Sequence, residues 1–123
     1  MKDMAIKRLE DIIRFTLTRH RVLAGNLANA DTPYYRAKDI SFESVVNEET
    51  LRLRATHPLH VREIEAQAGF EITEREDGTW LDKNNVEEDE EIAKMTENAL
   101  LYQATLKLLN DRFKLYKSIL SGR

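Results

Sequence analysis

Few side chains in this sequence are placed to do chemistry. His57 and His60 form a His-x-x-His pair, a spacing that a divalent metal can bridge and on which a small metal-dependent enzyme can be imagined. The pair lies in the break Thr56-His-Pro-Leu-His60, beside Pro58, and no third ligand follows at zinc spacing. A packed or solvated pair is the plainer reading. The carboxylates Glu87, Glu88, Asp89, Glu90 and Glu91 invite a calcium reading, yet they lack the Asp-x-Asp-x-Asp-Gly order and the distal Glu of an EF-hand loop. A solvated helix start accounts for them. His20 falls on an apolar face among Ile13, Leu23 and Leu27; it reads as a packed side chain, with a pH-sensitive contact in a seam as the alternative. No Ser or Cys nucleophile motif occurs, and the 4 glycines build no phosphate-cradling loop. Neither an enzyme nor a cofactor, metal or small-molecule substrate is expected.

The elements that must carry these residues are helical at both ends. From about Met4 to Ala28, the residues Ile6, Leu9, Ile13, Thr16, His20, Leu23 and Leu27 alternate spacings of three and four, one helical face at heptad spacing. Ile12, Phe15 and Val22 widen that stripe, while Lys7, Arg8, Arg14, Arg19 and Arg21 make the rest basic. The last segment repeats the pattern without a break through Ile92, Met95, Ala99, Tyr102, Leu106, Leu109, Phe113, Tyr116 and Leu120. Four heptads in one register predict a coiled-coil-like helix roughly 43 Å long. Leu101, Leu108 and Leu115 form a second apolar row beside it. A two-stranded coil needs one row, so two rows predict contact with more than one neighbour. The acidic run suits the N-terminal end of that helix, and Lys114, Lys117 and Arg123 suit its C-terminal end.

The middle is of another kind. Phe42 to about Leu53 has the spacing of a short helix, with Val45, Val46 and Glu49 on neighbouring turns. Gly69 to Leu81 reads as a β-hairpin: Phe70 and Ile72 alternate with Glu71 and Thr73, Asp77-Gly78 is a favoured turn, and Thr79 and Trp80 begin the return strand. The expected fold is mainly α: long N- and C-terminal helices packed as an antiparallel coiled-coil-like hairpin, with a small mixed insert. The divisions are 1–30, 31–86 and 87–123, all within one domain. Such a hairpin has little interior, and apolar rows left outside it mark a partner surface.

Bulk properties narrow the partners. The chain has 123 residues, 33% of them charged, and a net charge of −3, against the basic excess that nucleic acid demands. It has no cysteine. The start, Met-Lys-Asp-Met-Ala-Ile-Lys, holds no apolar signal core, so no cleavable signal peptide is expected, and no apolar run approaches the roughly 18 residues of a membrane span.

Between the first helix and the insert stands Asn26-Leu-Ala-Asn-Ala-Asp-Thr-Pro-Tyr-Tyr-Arg36, which holds nearly everything needed to end a helix. Asn26 and Asn29 leave helical geometry cheaply through amide-to-backbone bonds, Asp31 and Thr32 are turn formers, and Pro33 forbids continuation. A helix end followed by a loop is the reading from composition. The order is more specific. Asn26, Ala28, Asn29, Asp31, Thr32, Pro33 and Tyr35 together resemble the N-terminal signature of bacterial flagellar rod and hook proteins, the axial proteins of the flagellum. Arg36-Ala-Lys-Asp39 followed by Phe42, the segment Thr56 to His60, and Asp82-Lys-Asn-Asn-Val86 leading to Glu97-Asn-Ala-Leu-Leu-Tyr-Gln103 resemble the proximal rod proteins of that family over nearly the whole chain. Two positions depart. Tyr34 stands where the family often has Gly, which predicts a type I or more open turn in place of type II. Lys83 stands in the place of the Gly of an Asp-Gly-Asn-x-Val pattern, which argues against a positive-φ turn there.

The resemblance implies a structural subunit that polymerises through its terminal helices, with other rod subunits and the base and export gate of the basal body as partners. It implies a place in the periplasmic rod, export without a cleavable signal, and a share in transmitting torque from motor to hook. It also implies end helices that stay loose in the monomer and order on assembly, when burial at about 25 cal/mol per Å² accrues. Asn26 to Tyr35 would fix the exit angle of the chain, and the heptad rows of both helices would supply the seam. The rival reading is a cytosolic helical adaptor or export chaperone; the stretch around Pro33 stands against it.

Overall fold

A computed structural model describes residues 3–41, 72–78 and 81–122. Helix α1 spans Met4–Ala28. Its start is fixed by Asp3, whose Oδ1 accepts from the Ala5 N–H at 2.9 Å, a side-chain N-cap. Its end is fixed by Asn29, whose amide donates to the Gly25 carbonyl at 2.8 Å and so takes over a helix-terminal acceptor. The second long helix, here α2, spans Glu88–Leu120, about 50 Å of helix. Four carboxylates occupy its first turn and Lys117 its last, each on the side that the helix dipole favours. Gly122, at φ +65, takes the left-handed conformation that ends it.

The helices run antiparallel, as three cross-links along their length show. Asn26 donates to Glu91 Oε2 at 2.8 Å, Asn98 donates to the Thr16 carbonyl at 2.8 Å, and Arg112 lies 3.3 Å from Asp3, which also accepts from the Tyr116 hydroxyl. The expected mainly α architecture with its helical hairpin is the observed one.

Two short strands complete the fold. Strand β1 (Lys38–Ile40) and strand β2 (Ile72–Glu74) pair antiparallel, with Lys38 opposite Glu74 and Ile40 opposite Ile72. The strand expected around Ile72 is therefore present, but the partner it has here is Lys38–Ile40, far back in the chain. Thr79 and Trp80, expected as the return strand, lie outside the described residues, as do the expected helix from Phe42 to Leu53 and the pair His57 and His60. Gly78 has a positive φ, +71, while Asp77 does not.

The apolar core is small. Phe15, Leu23, Ala37, Ile40 and Val86 are buried where the second half of α1 meets β1 and the start of α2. Phe15, Leu23, Ile40 and Val86 each contribute about 1.5–3 kcal/mol. Among the described residues, buried polar side chains outnumber buried apolar ones. His20 is exposed on α1 and is not the packed side chain expected from sequence.

Candidate functional site

The stretch that ends α1 is held by three buried asparagines. Asn26 gives its Nδ2 to the Lys38 carbonyl at 2.6 Å and to Glu91 Oε2 at 2.8 Å, and its Oδ1 accepts from the Lys38 N–H at 2.9 Å and the Tyr35 hydroxyl at 3.3 Å. One side chain thus ties together α1, β1, the motif tyrosine and α2. Asn84 shares the two protons of its amide among the carbonyls of Asn29, Ala30 and Thr32, at 2.9, 2.9 and 2.7 Å, while its Oδ1 accepts from the Val86 N–H at 2.7 Å. Asn85 accepts from the Ala37 N–H at 2.6 Å and donates to the carbonyls of Arg75 and Asp77 at 2.7 and 3.1 Å. A turn carries backbone groups that no ladder satisfies, and a buried group left unpaired costs about 1–3 kcal/mol. The amides meet that need with both donor and acceptor on one short side chain.

Charged side chains brace the turn. The Arg19 fork grips Asp39 at 2.8 and 3.0 Å, holding β1 to the middle of α1, and the Asp39 carboxylate raises the Arg19 pKa above its ordinary value. Arg75 bonds Asp77 at 2.7 Å and Glu90 at 2.6 Å, which raises its own pKa and lowers that of Asp77. The Lys94 hydrogen bond, at 2.9 Å, and then that of Arg75 hold Glu90 below the usual glutamate value. Burial opposes the Lys94 ammonium, but Glu90 and Glu91 outweigh it and raise its pKa.

Two expectations about this turn are overturned. Tyr34 has φ +62 and Lys83 has φ +59. With the Tyr35 N–H bonded to the Thr32 carbonyl at 3.3 Å, the turn carries its positive φ at the third position, the type II pattern, without glycine. The physical reason is nonlocal. The Tyr34 N–H donates to the Asp82 carbonyl at 3.0 Å, and the Lys83 Nζ sits 5.6 Å from the centre of the Tyr34 ring. The contacts between the two segments hold both residues in a conformation that neither favours alone.

Of the other motif residues, Asn29 ends α1, Thr32 donates to Asn29 Oδ1 at 3.2 Å, and Ala28, Asp31 and Pro33 stand on the surface. Asn84 and Asn85 were not singled out as site residues from sequence. Paired amides just before a helix, facing an Asn- and Pro-rich helix end elsewhere, were the available signal.

The helix rows also sort differently from their sequence grouping. On α1, Leu23 is buried and Ile6, Leu9, Ile13 and Leu27 are half-buried. On α2, Met95, Tyr102, Leu106 and Leu109 are half-buried. Ala99 and Tyr116 are exposed, as are Ile92, Phe113 and Leu120, at 50%, 51% and 86%. The positions that α2 turns most deeply toward the fold are Glu91, Asn98 and Thr105, seven residues apart, all polar. Arg112 continues the series. The row Leu101, Leu108 and Leu115 is likewise exposed. The seam inside the chain is therefore centred on a polar row, with apolar rows on its flanks.

An elongated helical hairpin, a turn stitched by asparagines and the Asn-x-Ala-Asn-x-x-Thr-Pro-x-Tyr order together define an axial protein of the bacterial flagellum. No protein-family profile matches the chain. Curated relatives do. It is 32% identical over 120 residues to the flagellar basal body rod protein FlgB of Bacillus subtilis, covering 95% of this chain and 93% of that protein. It is 33% identical to FlgB of Aquifex aeolicus over 90% of this chain and 88% of that one, and 31% identical to FlgB of Salmonella typhimurium over 98% and 95%. The chain belongs to the FlgB family of flagellar basal body rod proteins.

Proposed function

We propose that this chain is a structural subunit of the proximal rod, that it assembles through α1 and α2 with other rod subunits and the base of the basal body, and that it helps carry torque from motor to hook. Family membership supports the place. The observation that carries the assembly mechanism is the exposed heptad row Ile92, Phe113 and Leu120, which the chain's own fold leaves uncovered. Large apolar side chains repeated along one helix gain about 25 cal/mol per Å² only when another surface covers them. The stretch from Asn26 to Tyr35, clamped to β1 and α2, sets the angle at which the chain leaves α1. In this reading the chain reaches the periplasmic space through the flagellar export apparatus, passing its export gate, and the rod needs no chemistry from it.

The test is where the chain ends up. A tagged copy in its native host is expected in isolated basal bodies, and its deletion is expected to stop flagella forming. A chain that stays in the cytosol while flagella form without it would overturn the reading in favour of a cytosolic adaptor. Phe113→Asp refines the test: its side chain is exposed, so the fold should survive, while incorporation into basal bodies should fail. Leu106→Asp is the poorer probe, because Leu106 is half-buried in the chain itself.

A further inference from the structure

The asparagine-stitched turn closes one end of the hairpin. At the other, about 35 Å away along α1, the start of α1 meets the last turns of α2 with no chain connecting them. Apolar burial does little there. Every side chain from Phe113 to Leu120 is exposed, Met4 is 62% exposed, and an open groove of about 530 Å³ runs between Ala5 and Leu9 of α1 and Leu108 and Leu115 of α2. One carboxylate spans the gap. Asp3 Oδ1 caps α1 by accepting from the Ala5 N–H at 2.9 Å, while Oδ2 lies 3.3 Å from Arg112 Nε and accepts from the Tyr116 hydroxyl. Arg112 and Tyr116 stand one turn apart on α2, so both reach the same oxygen. The first turn of α1 holds no acidic residue, which leaves Asp3 as the carboxylate at the positive end of its dipole. The Tyr116 hydroxyl and then the Ala5 N–H hold the Asp3 pKa below its ordinary value.

We propose that Asp3 is a clasp that makes the open end of the hairpin one cooperative unit: when the last turns of α2 leave, α1 loses what positions its cap, and its first turn melts with them. The proposal rests on the rod reading and adds to it the contact that holds the two free helix ends together within one assembled subunit. A helix frays from its first turn unless its unpaired N–H groups are met. Here the group that meets them is itself held by the other helix. Serine caps a helix about as well as aspartate. Its single short hydroxyl, however, could not cap α1 and also engage Arg112 and Tyr116. The second carboxylate oxygen is what turns a local cap into a link between helices.

The chain has no cysteine, so thiols can be placed where the test needs them. Ala5→Cys/Leu115→Cys puts one on each side of the groove, in a full chain that replaces the native one, and isolated basal bodies are treated with a short bis-maleimide. The expected product is an internal link, seen as a mobility shift at the mass of a single chain. Adding Tyr116→Phe/Arg112→Gln should lower its yield per copy about fivefold, and Asp3→Ser, which keeps a cap, should lower it equally. All three changes together should do no more than either set, because they open the same clasp. A second reporter reads the start of α1. The half-buried Ile6, as Ile6→Cys, should react with maleimide about fivefold faster once Tyr116→Phe/Arg112→Gln is present, although both changes lie on α2. Failure of both variant sets to enter basal bodies would also support the clasp. Links between copies in place of internal ones would overturn it. So would an unchanged yield in Asp3→Ser, an effect of Asp3→Ser alone, or an Ile6→Cys thiol indifferent to the changes on α2. Basal bodies without the unsubstituted chain would instead sink the rod reading on which the proposal stands.

Discussion

Lys83 and Tyr34 face each other, ammonium over ring at 5.6 Å, and both hold left-handed backbone. A side chain with a Cβ loses roughly 1–2 kcal/mol in that conformation, and glycine does not. The two segments are nonetheless clasped together, so the strain is held by their contacts. Lys83→Ala keeps the strain and loses the ring contact; Lys83→Gly loses the contact but relieves the strain. Chemical denaturation should therefore find Lys83→Gly more stable than Lys83→Ala by about 1 kcal/mol, after allowing for glycine's greater freedom in the unfolded chain. Equal stabilities would mean that the left-handed turn is not populated in solution.

Asn84 should be the most demanding single position of the turn. Asn84→Ala leaves three carbonyls and the Val86 N–H without their side-chain partner, at a cost of about 3 kcal/mol. Asn84→Asp keeps the acceptor for Val86 but turns a carboxylate oxygen toward carbonyls, and at neutral pH it should cost at least as much. Asp31→Ala, on the exposed part of the same turn, should stay within about 0.5 kcal/mol of the parent. Urea midpoints for the three variants decide this ranking.

Much of this was legible in the sequence, for reasons that are local. Apolar residues at alternating spacings of three and four marked both helices, and α1 runs over the residues that its spacing and its Asn- and Pro-rich end predicted. What escaped was nonlocal. Strand β1 carries only three residues and is defined by a partner more than thirty positions away, so no periodicity announces it. The sequence argument took the apolar residues of α2 as the seam. Inside the chain, however, Glu91, Asn98 and Thr105 face inward: α1 offers Glu91 an amide and Asn98 a carbonyl, Lys94 stands beside Glu91, and Thr105 spends its hydroxyl on the Leu101 carbonyl of its own helix. Residue preference likewise misjudged Tyr34 and Lys83, since contacts across the turn overrode it.

The polar row gives a further expectation. Asn98 spends its amide on the Thr16 carbonyl, while its Oδ1 is buried without a hydrogen-bond partner. Asn98→Leu should raise the thermal midpoint by a few degrees, because it exchanges a half-satisfied amide for apolar packing. It should also loosen the choice of register, as apolar replacements of polar seam residues do in coiled coils. Size-exclusion profiles that broaden or split while stability rises would show both effects. A single sharp species would mean that the cross-links at Asn26 and Asp3 fix the register unaided.

Acid should weaken the brace at the start of α2. Lys94 and Arg75 hold Glu90 below its ordinary value of 4.5, so folding favours the carboxylate. The stability this contributes is present above about 4.5 and is lost as the pH falls below that value through the depressed folded pKa. Asp77, lowered by Arg75, acts in the same direction. Thermal melts from pH 7 to pH 3 should fall most steeply below about 4.5. Glu90→Gln should be less stable at neutral pH and show a shallower fall in acid. The pair is still partly open to solvent, so the expected effect is modest.

Asn26 presents an amide where a third strand would otherwise lie. It binds both the N–H and the C=O of Lys38, the two groups through which another chain would extend the sheet. An open ribbon edge invites neighbouring chains to zip together without limit or register. Here the Lys38 position of that edge is stoppered by a single side chain, so a neighbouring strand cannot add at that point.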